Sequence, residues 1–118
     1  MSELINSVNS LNILDAAVKL KSVVTRTPLM YSANLSRRYN CDVYLKREDM
    51  QIVRSYKLRG AYNLISSLPA ALLAKGVTCA SAGNHAQGFA YACKAMNIRG
   101  VVFMPVITPK QKVNQVNM

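Results

Sequence analysis

The chain has 118 residues, 51% hydrophobic and 17% charged, with 15 Lys and Arg against 5 Asp and Glu, a net charge of +10. That length suits one ordinary domain, and that composition excludes a disordered chain. No apolar run reaches the ~18–20 residues of a membrane span. The basic residues are scattered from Lys19 to Lys112 with no basic tail or aromatic-interleaved stripe, so neither a membrane nor a nucleic acid is expected as partner.

The N-terminal stretch MSELINSVNS lacks a basic n-region and an apolar h-region, so the expected location is the cytoplasm. Residues 11–24 place Ile13, Ala17, Leu20 and Val24 on one helical face. TRTP at 25–28 breaks that helix, because Thr27 precedes a proline and is pushed toward extended geometry. LMYS follows as a short strand, and Ser32 is placed to N-cap a helix over 33–39. Residues 42–48 alternate, with Val43 and Leu45 on one side and Tyr44 and Lys46 on the other, as a half-buried strand does. A loop over 49–55 leads into a helix from about Ser55 to Leu68. Its apolar face is Leu58, Ala61, Tyr62 and Ile65.

After Pro69, residues 70–75 are helix-prone until Gly76. VTCAS is then a short strand, and residues 84–97 form a helix with Phe89, Ala92, Cys93 and Met96 inward. GVVFMP at 100–105 is a continuous apolar run, as expected of a strand buried on both faces. Strand, helix and strand within about 30 residues make a βαβ unit with a parallel pair. Thr108 is expected to cap a last helix, with Pro109 at its first position. The fold class is α/β: an open parallel sheet with helices on both faces, incomplete in this chain. Cys41, Cys79 and Cys93 are odd in number and widely spaced. They read as free thiols, without a zinc site or disulfide framework.

Two stretches are suited to chemistry. In "RSYKLRGAYNLISSL" (54–68), Lys57 sits in the first turn of a helix and shares its face with Gly60, Ala61 and Leu64. Gly60 costs about 1 kcal/mol relative to Ala in a helix and leaves room beside the lysine for close packing or a flat ligand. Tyr56 is placed to lie against a ring. The positive end of a helix dipole favours an uncharged amine, the form that condenses with aldehydes. Taken alone, these features still fit an ordinary surface lysine better than a reactive one.

The second stretch, "SAGNHAQG" (81–88), falls where a parallel strand gives way to a helix, the preferred ligand position in open α/β sheets. Ser81, Asn84 and His85 offer polar side chains, Gly83 permits close approach, and the free N–H groups of the helix suit a carboxylate or phosphate. A plain capping turn accounts for it equally well. His85 is the only histidine, so a metal site is not expected.

Together, "SYKLRGA" and "SAGNHAQG" resemble the lysine motif and asparagine loop of the serine/threonine dehydratases, a family of fold-type II pyridoxal-phosphate enzymes. The resemblance extends through "TRTPL" (25–29), "YLKRED" (44–49), "GVTCASAGNHAQGFA" (76–90) and "FMPVITPKQKV" (103–113). It covers most of the chain and is greatest to the biosynthetic, threonine-acting branch. It implies that Lys57 forms the Schiff base with pyridoxal 5'-phosphate and acts as the acid–base group. Tyr56, where the family usually has Phe, packs on the cofactor ring, and Asn84 hydrogen-bonds the ring hydroxyl. Ser81, Ala82, Gly83, Asn84 and His85 hold the substrate carboxylate. The implied reaction converts L-threonine to 2-oxobutanoate and ammonia in isoleucine biosynthesis. L-Serine gives pyruvate similarly.

The resemblance also divides the chain into residues 1–54, which pack on the large catalytic domain, and residues 55–118, which begin a smaller open α/β domain. The whole enzyme is expected to be a homo-oligomer with a small-molecule amino-acid substrate. Three departures stand out. Ile52 replaces a common proline, PAALLAK (69–75) is less polar than the usual connector, and the family's glycine-rich phosphate loop has no counterpart. The five glycines are Gly60, Gly76, Gly83, Gly88 and Gly100, none adjacent to another. The chain alone is therefore expected to be inactive and poorly folded or self-associating. An L-serine dehydratase or serine racemase shares the same motifs, and a non-catalytic truncated fragment is the alternative of a different class.

Overall fold

The computed structural model of the chain describes residues 10–117; the reading of residues 1–9 lies outside them. The elements run α1 (Ser10–Leu20), β1 (Leu29–Tyr31), α2 (Ala33–Tyr39), β2 (Tyr44–Lys46), a 3₁₀ turn (Glu48–Met50), α3 (Lys57–Ser66), α4 (Ala70–Leu73), β3 (Val77–Ala80), α5 (Asn84–Ala95), β4 (Gly100–Phe103) and α6 (Lys110–Val116). The class is α/β, with the parallel pair where the sequence places it. β3 and β4 run parallel with Val77 opposite Gly100 and Ala80 opposite Phe103. β1 and β2 form a separate antiparallel pair, Leu29 opposite Lys46, a pairing that the sequence pattern does not announce.

The core lies between α3, α5 and the β3–β4 pair. Leu58, Ala61 and Ile65 from α3 meet Phe89, Ala92 and Cys93 from α5, all buried. These are the apolar faces read from the 3.6-residue period. Tyr62 and Met96 complete them as half-buried neighbours. Gly100 allows α5 to approach β4: a Cβ there would lie 2.7 Å from Cys93 Sγ and 3.1 Å from a Phe89 ring carbon. Gly76 turns the chain into β3 with a positive φ of 84°, a conformation that glycine adopts freely.

Several expectations need correction. α1 ends at Leu20, so Val24 lies outside it, and Ile13 is 59% exposed. α3 begins at Lys57, two residues later than read, because Ser55 and Tyr56 complete the preceding bend. Ser32 occupies the N-cap position of α2 in extended geometry, but its hydroxyl makes no cap bond. Pro109, not Thr108, is the cap residue of α6: its carbonyl accepts the first helical bond, from Lys112 N at 2.9 Å. β2 is exposed throughout. β4 is not buried on both faces: only Val102 among its residues is half-buried. Its one strand neighbour among the described residues is β3, with α5 packed alongside. The apolar run thus records a burial that these residues do not themselves supply.

Cys93 is buried, Cys79 half-buried and Cys41 exposed, and all three are free. Burial pushes the thiols of Cys79 and Cys93 up. Among the described residues, no helix is long and apolar enough to cross a membrane, and no three His, Cys, Asp or Glu side chains cluster as a metal site would require.

Candidate active site

The loop 81–83 leaves the carboxyl end of β3 and enters α5 at Asn84. Ser81 N donates to Phe103 O at 3.0 Å, which extends the β3–β4 pairing into the loop. Ser81 Oγ accepts from Gly83 N at 3.3 Å. Gly83 is the N-cap residue, and with no β-carbon oxygen it contributes no capping bond. The first N–H groups of α5 are left for another acceptor, and an anion is the partner such a helix end favours. Asn84 and His85 are exposed, while Ser81, Ala82 and Gly83 are half-buried.

Lys57 is the first residue of α3 and half-buried. Its Nζ lies 4.9 Å from the centroid of the Tyr56 ring, and that ring is itself 59% exposed. Ser55, just before it, is buried with its hydroxyl unpartnered. Arg54 has a φ of 55°, the left-handed region in which a non-glycine residue stores about 1–3 kcal/mol of strain. The turn that presents Lys57 is therefore a constrained one.

Gly88 brings the two stretches together. A Cβ at Gly88 would lie 2.8 Å from Leu58 N and 2.9 Å from the Lys57 carbonyl carbon. The second turn of α5 is thus in backbone contact with the first turn of α3. Asn84 lies one turn before Gly88 and shares its face, so the asparagine loop and the lysine belong to the same end of the α3–α5 pair. Gly60 and Gly83 are the opposite case: a Cβ at either would meet nothing within 4 Å. Open space beside both stretches is what a flat, anionic ligand needs.

The surrounding relief is shallow. One concavity is lined by Ser81 and Ala82 with Phe103 and Met104, and another by His85 with Ala61, Leu64, Cys79 and Phe89. Lys57 lines neither. The residues fit an aldehyde-bearing aromatic group at the amine, the ring flank and the helix end. Nothing among them forms a glycine-rich cradle for its phosphate.

A polar node behind the lysine escaped the sequence reading. Arg59 donates to both carboxylate oxygens of Glu48, Nε to Oε2 at 2.7 Å and Nη2 to Oε1 at 2.8 Å. Thr27 Oγ1 donates to Glu48 Oε1 at 2.5 Å. Gln51 clamps Thr25 at both backbone atoms, accepting from Thr25 N at 3.0 Å and donating to Thr25 O at 2.8 Å. Thr27 and Gln51 are each only 3% exposed. The Arg59 hydrogen bonds, helped by Thr27 and Gln51, hold Glu48 down at about 2 against the cost of its burial. No periodicity relates positions 25, 27, 48, 51 and 59. The only signal lies in the quoted "TRTPL", "YLKRED" and "SYKLRGA" stretches, which hold all of these positions except Gln51.

The chain is similar to known proteins over most of its length. A family model described as pyridoxal-phosphate dependent enzyme matches residues 20–118. A protein of Staphylococcus epidermidis, L-threonine dehydratase biosynthetic IlvA, is 59% identical over 109 residues, which cover 92% of this chain and 26% of that protein. Its Staphylococcus aureus counterpart is 58% identical over 110 residues, with the same 26% covered. The chain thus spans about a quarter of the length of these relatives. Among solved structures, the processed form of threonine deaminase isoform 2 from Solanum lycopersicum superposes with a TM-score of 0.77 at 41% identity, over 92% of this chain and 31% of the other. Serine racemase from Dictyostelium discoideum gives 0.85 at 32% identity, over 91% and 35%.

Proposed function

The chain belongs to the pyridoxal-phosphate dependent enzyme family, and on that premise we propose that it is the amine-bearing part of an enzyme that converts L-threonine to 2-oxobutanoate and ammonia. The backbone contact at Gly88 supports the reading, because it brings the first turn of α3, which carries Lys57, against the N-terminal half of α5, whose free N–H groups suit a carboxylate. The 59% identity to an L-threonine dehydratase favours threonine over serine as the substrate.

Pyridoxal 5'-phosphate supplies an aldehyde that an amine captures and a ring that spreads negative charge from the substrate Cα. Lys57 Nζ would hold that aldehyde, and the same amine, when free, would take the proton from the substrate Cα. Tyr56 flanks the ring. Asn84 would donate its amide N–H to the ring hydroxyl oxygen. Ser81, Ala82, Gly83, Asn84 and His85, with the first N–H groups of α5, hold the substrate carboxylate and so aim the Cα–H at Lys57. Anchoring of the phosphate falls to the remainder of the longer protein. In the same proposal, residues 1–54 pack on the large catalytic domain, residues 55–118 open the smaller one, and the whole enzyme is a cytoplasmic homo-oligomer.

The test is to add pyridoxal phosphate, reduce with borohydride and locate the pyridoxyl group by peptide mapping. Labelling is expected to be dominated by Lys57, with only a minor background at exposed lysines such as Lys110 and Lys112. Adducts spread over the eight lysines of the chain would refute the assignment. Comparison of 2-oxobutanoate from L-threonine with pyruvate from L-serine, using the full-length enzyme, tests the substrate.

A further inference from the structure

α3 is held on two sides of its first turn. Leu58 faces α5, fully buried, with its backbone against Gly88. Arg59, the next residue, reaches the other way into the Glu48 node. Successive residues of a helix are about 100° apart. Fixing the directions of Leu58 and Arg59 therefore fixes that of Lys57 as well. No side-chain cap does this in their place: Tyr56, at the N-cap position, makes no capping bond.

The node is itself anchored. Glu48 sits in the 3₁₀ turn after β2, and its partner Gln51 is tied to both backbone atoms of Thr25. Arg47 N donates to Pro28 O at 3.1 Å, and Lys46 Nζ donates to Thr27 O. The carboxylate is thus braced from the 25–28 segment and from β2 before it meets Arg59. A two-pronged Arg–carboxylate pair sets orientation as well as distance.

We propose that Glu48 is a positioning residue that acts through Arg59 to aim the Lys57 amine. The proposal rests on the reading of Lys57 as the aldehyde-capturing amine, and it extends that site to a carboxylate that touches neither substrate nor cofactor.

The test compares the 118-residue chain with Glu48→Gln, Glu48→Asp and Arg59→Lys. Each is treated with pyridoxal phosphate and borohydride, and the pyridoxyl group at Lys57 is quantified against Lys110 and Lys112 as internal references. A misplacement of about 1 Å in a reacting group costs up to about a hundredfold, so Glu48→Gln is expected to lower the Lys57 share about tenfold. Glu48→Asp, which keeps the charge, should recover part of the loss. Helix content without denaturant should stay at the unsubstituted level, which separates misdirection from unfolding. An unchanged Lys57 share in both Glu48→Gln and Arg59→Lys overturns the proposal.

If the unsubstituted chain shows no preference for Lys57, the reading of the lysine fails instead. Acetic anhydride labelling then decides the positioning role. Lys57 should acylate at least about threefold faster in Glu48→Gln than in the unsubstituted chain, relative to Lys110, as the amine loses its fixed direction. Equal rates overturn the proposal. Thr27→Val, which removes a single hydrogen bond, serves if both stronger variants fail to fold, with the same two outcomes.

Discussion

Replacing Gly88 by alanine should destabilise the chain and part the two stretches of the site. A Cβ there would meet Leu58 N at 2.8 Å, the Lys57 carbonyl carbon at 2.9 Å and Leu58 Cα at 3.1 Å. All three are backbone atoms, so no side chain can swing aside. The helices must separate by about 0.6 Å to restore ordinary contact, and Leu58 loses packing at the crossing. Overpacking of this kind costs about 1–3 kcal/mol. Alanine's higher helix propensity offsets about 1 kcal/mol of it. Gly60→Ala supplies the control, since it gains the same propensity and meets nothing within 4 Å. Urea unfolding followed by circular dichroism should place Gly60→Ala above the unsubstituted chain by about 1 kcal/mol. Gly88→Ala should fall about 1–3 kcal/mol below Gly60→Ala, because propensity cancels between them and only the clash remains. A Gly88→Ala chain as stable as Gly60→Ala would show that the backbone contact does not exist.

The remaining expectations concern charge, thiols and turnover. Glu48 titrates at about 2 in the folded chain against an ordinary value of 4.5. Its contribution is therefore complete above about pH 4.5 and is lost as pH falls toward 2, with a ceiling on the order of 3 kcal/mol. Glu48→Gln should abolish that part of the acid slope in urea midpoints. Asp49 is also lowered by Arg47, but that pair is exposed and contributes little. With a thiol reagent, Cys41 should react first and Cys93 last, and urea should remove the difference; equal rates in the native chain would contradict the core described above. With pyridoxal phosphate and L-threonine, the chain alone should give negligible 2-oxobutanoate, and turnover near that of a full-length relative would overturn the assignment of phosphate anchoring to residues outside this chain.

The helix faces were legible because burial there is decided locally. Leu58, Ala61 and Ile65 recur at helical spacing, as do Phe89, Ala92 and Cys93, and each set needs only the other to be covered. The junction at 81–83 was legible for a similar reason, since the short strand pattern ends at Ala80 and the helical period begins at Asn84. The exposure of β4 was not legible. A continuous apolar run reports what a strand is built to pack against, and the described residues provide one strand neighbour and one packed helix. The Glu48 node was hidden for a different reason. Its members come from three segments brought together only by the fold, and charged residues carry no periodic signature of their pairing. Lys57 and Arg59 looked like two ordinary surface cations, yet one is tied to a carboxylate and the other is not.

Four of the glycines sort into two kinds by what surrounds them. Gly88 and Gly100 are required by packing, because a side chain at either would strike the backbone of α3 or the side chains of α5. Gly60 and Gly83 are not required by anything among the described residues: each faces open space, and neither has a positive φ. A glycine inside a helix costs about 1 kcal/mol, so Gly60 weakens α3 with no return in packing. The two unexplained glycines lie within the two stretches proposed to hold the cofactor, one a turn from Lys57 and the other at the entrance to α5. A close-fitting ligand explains both at once, since it would occupy the space that a β-carbon would take. Gly88 brings α5 against the first turn of α3, Gly100 brings it against β4, and Gly60 and Gly83 leave open space in the two stretches.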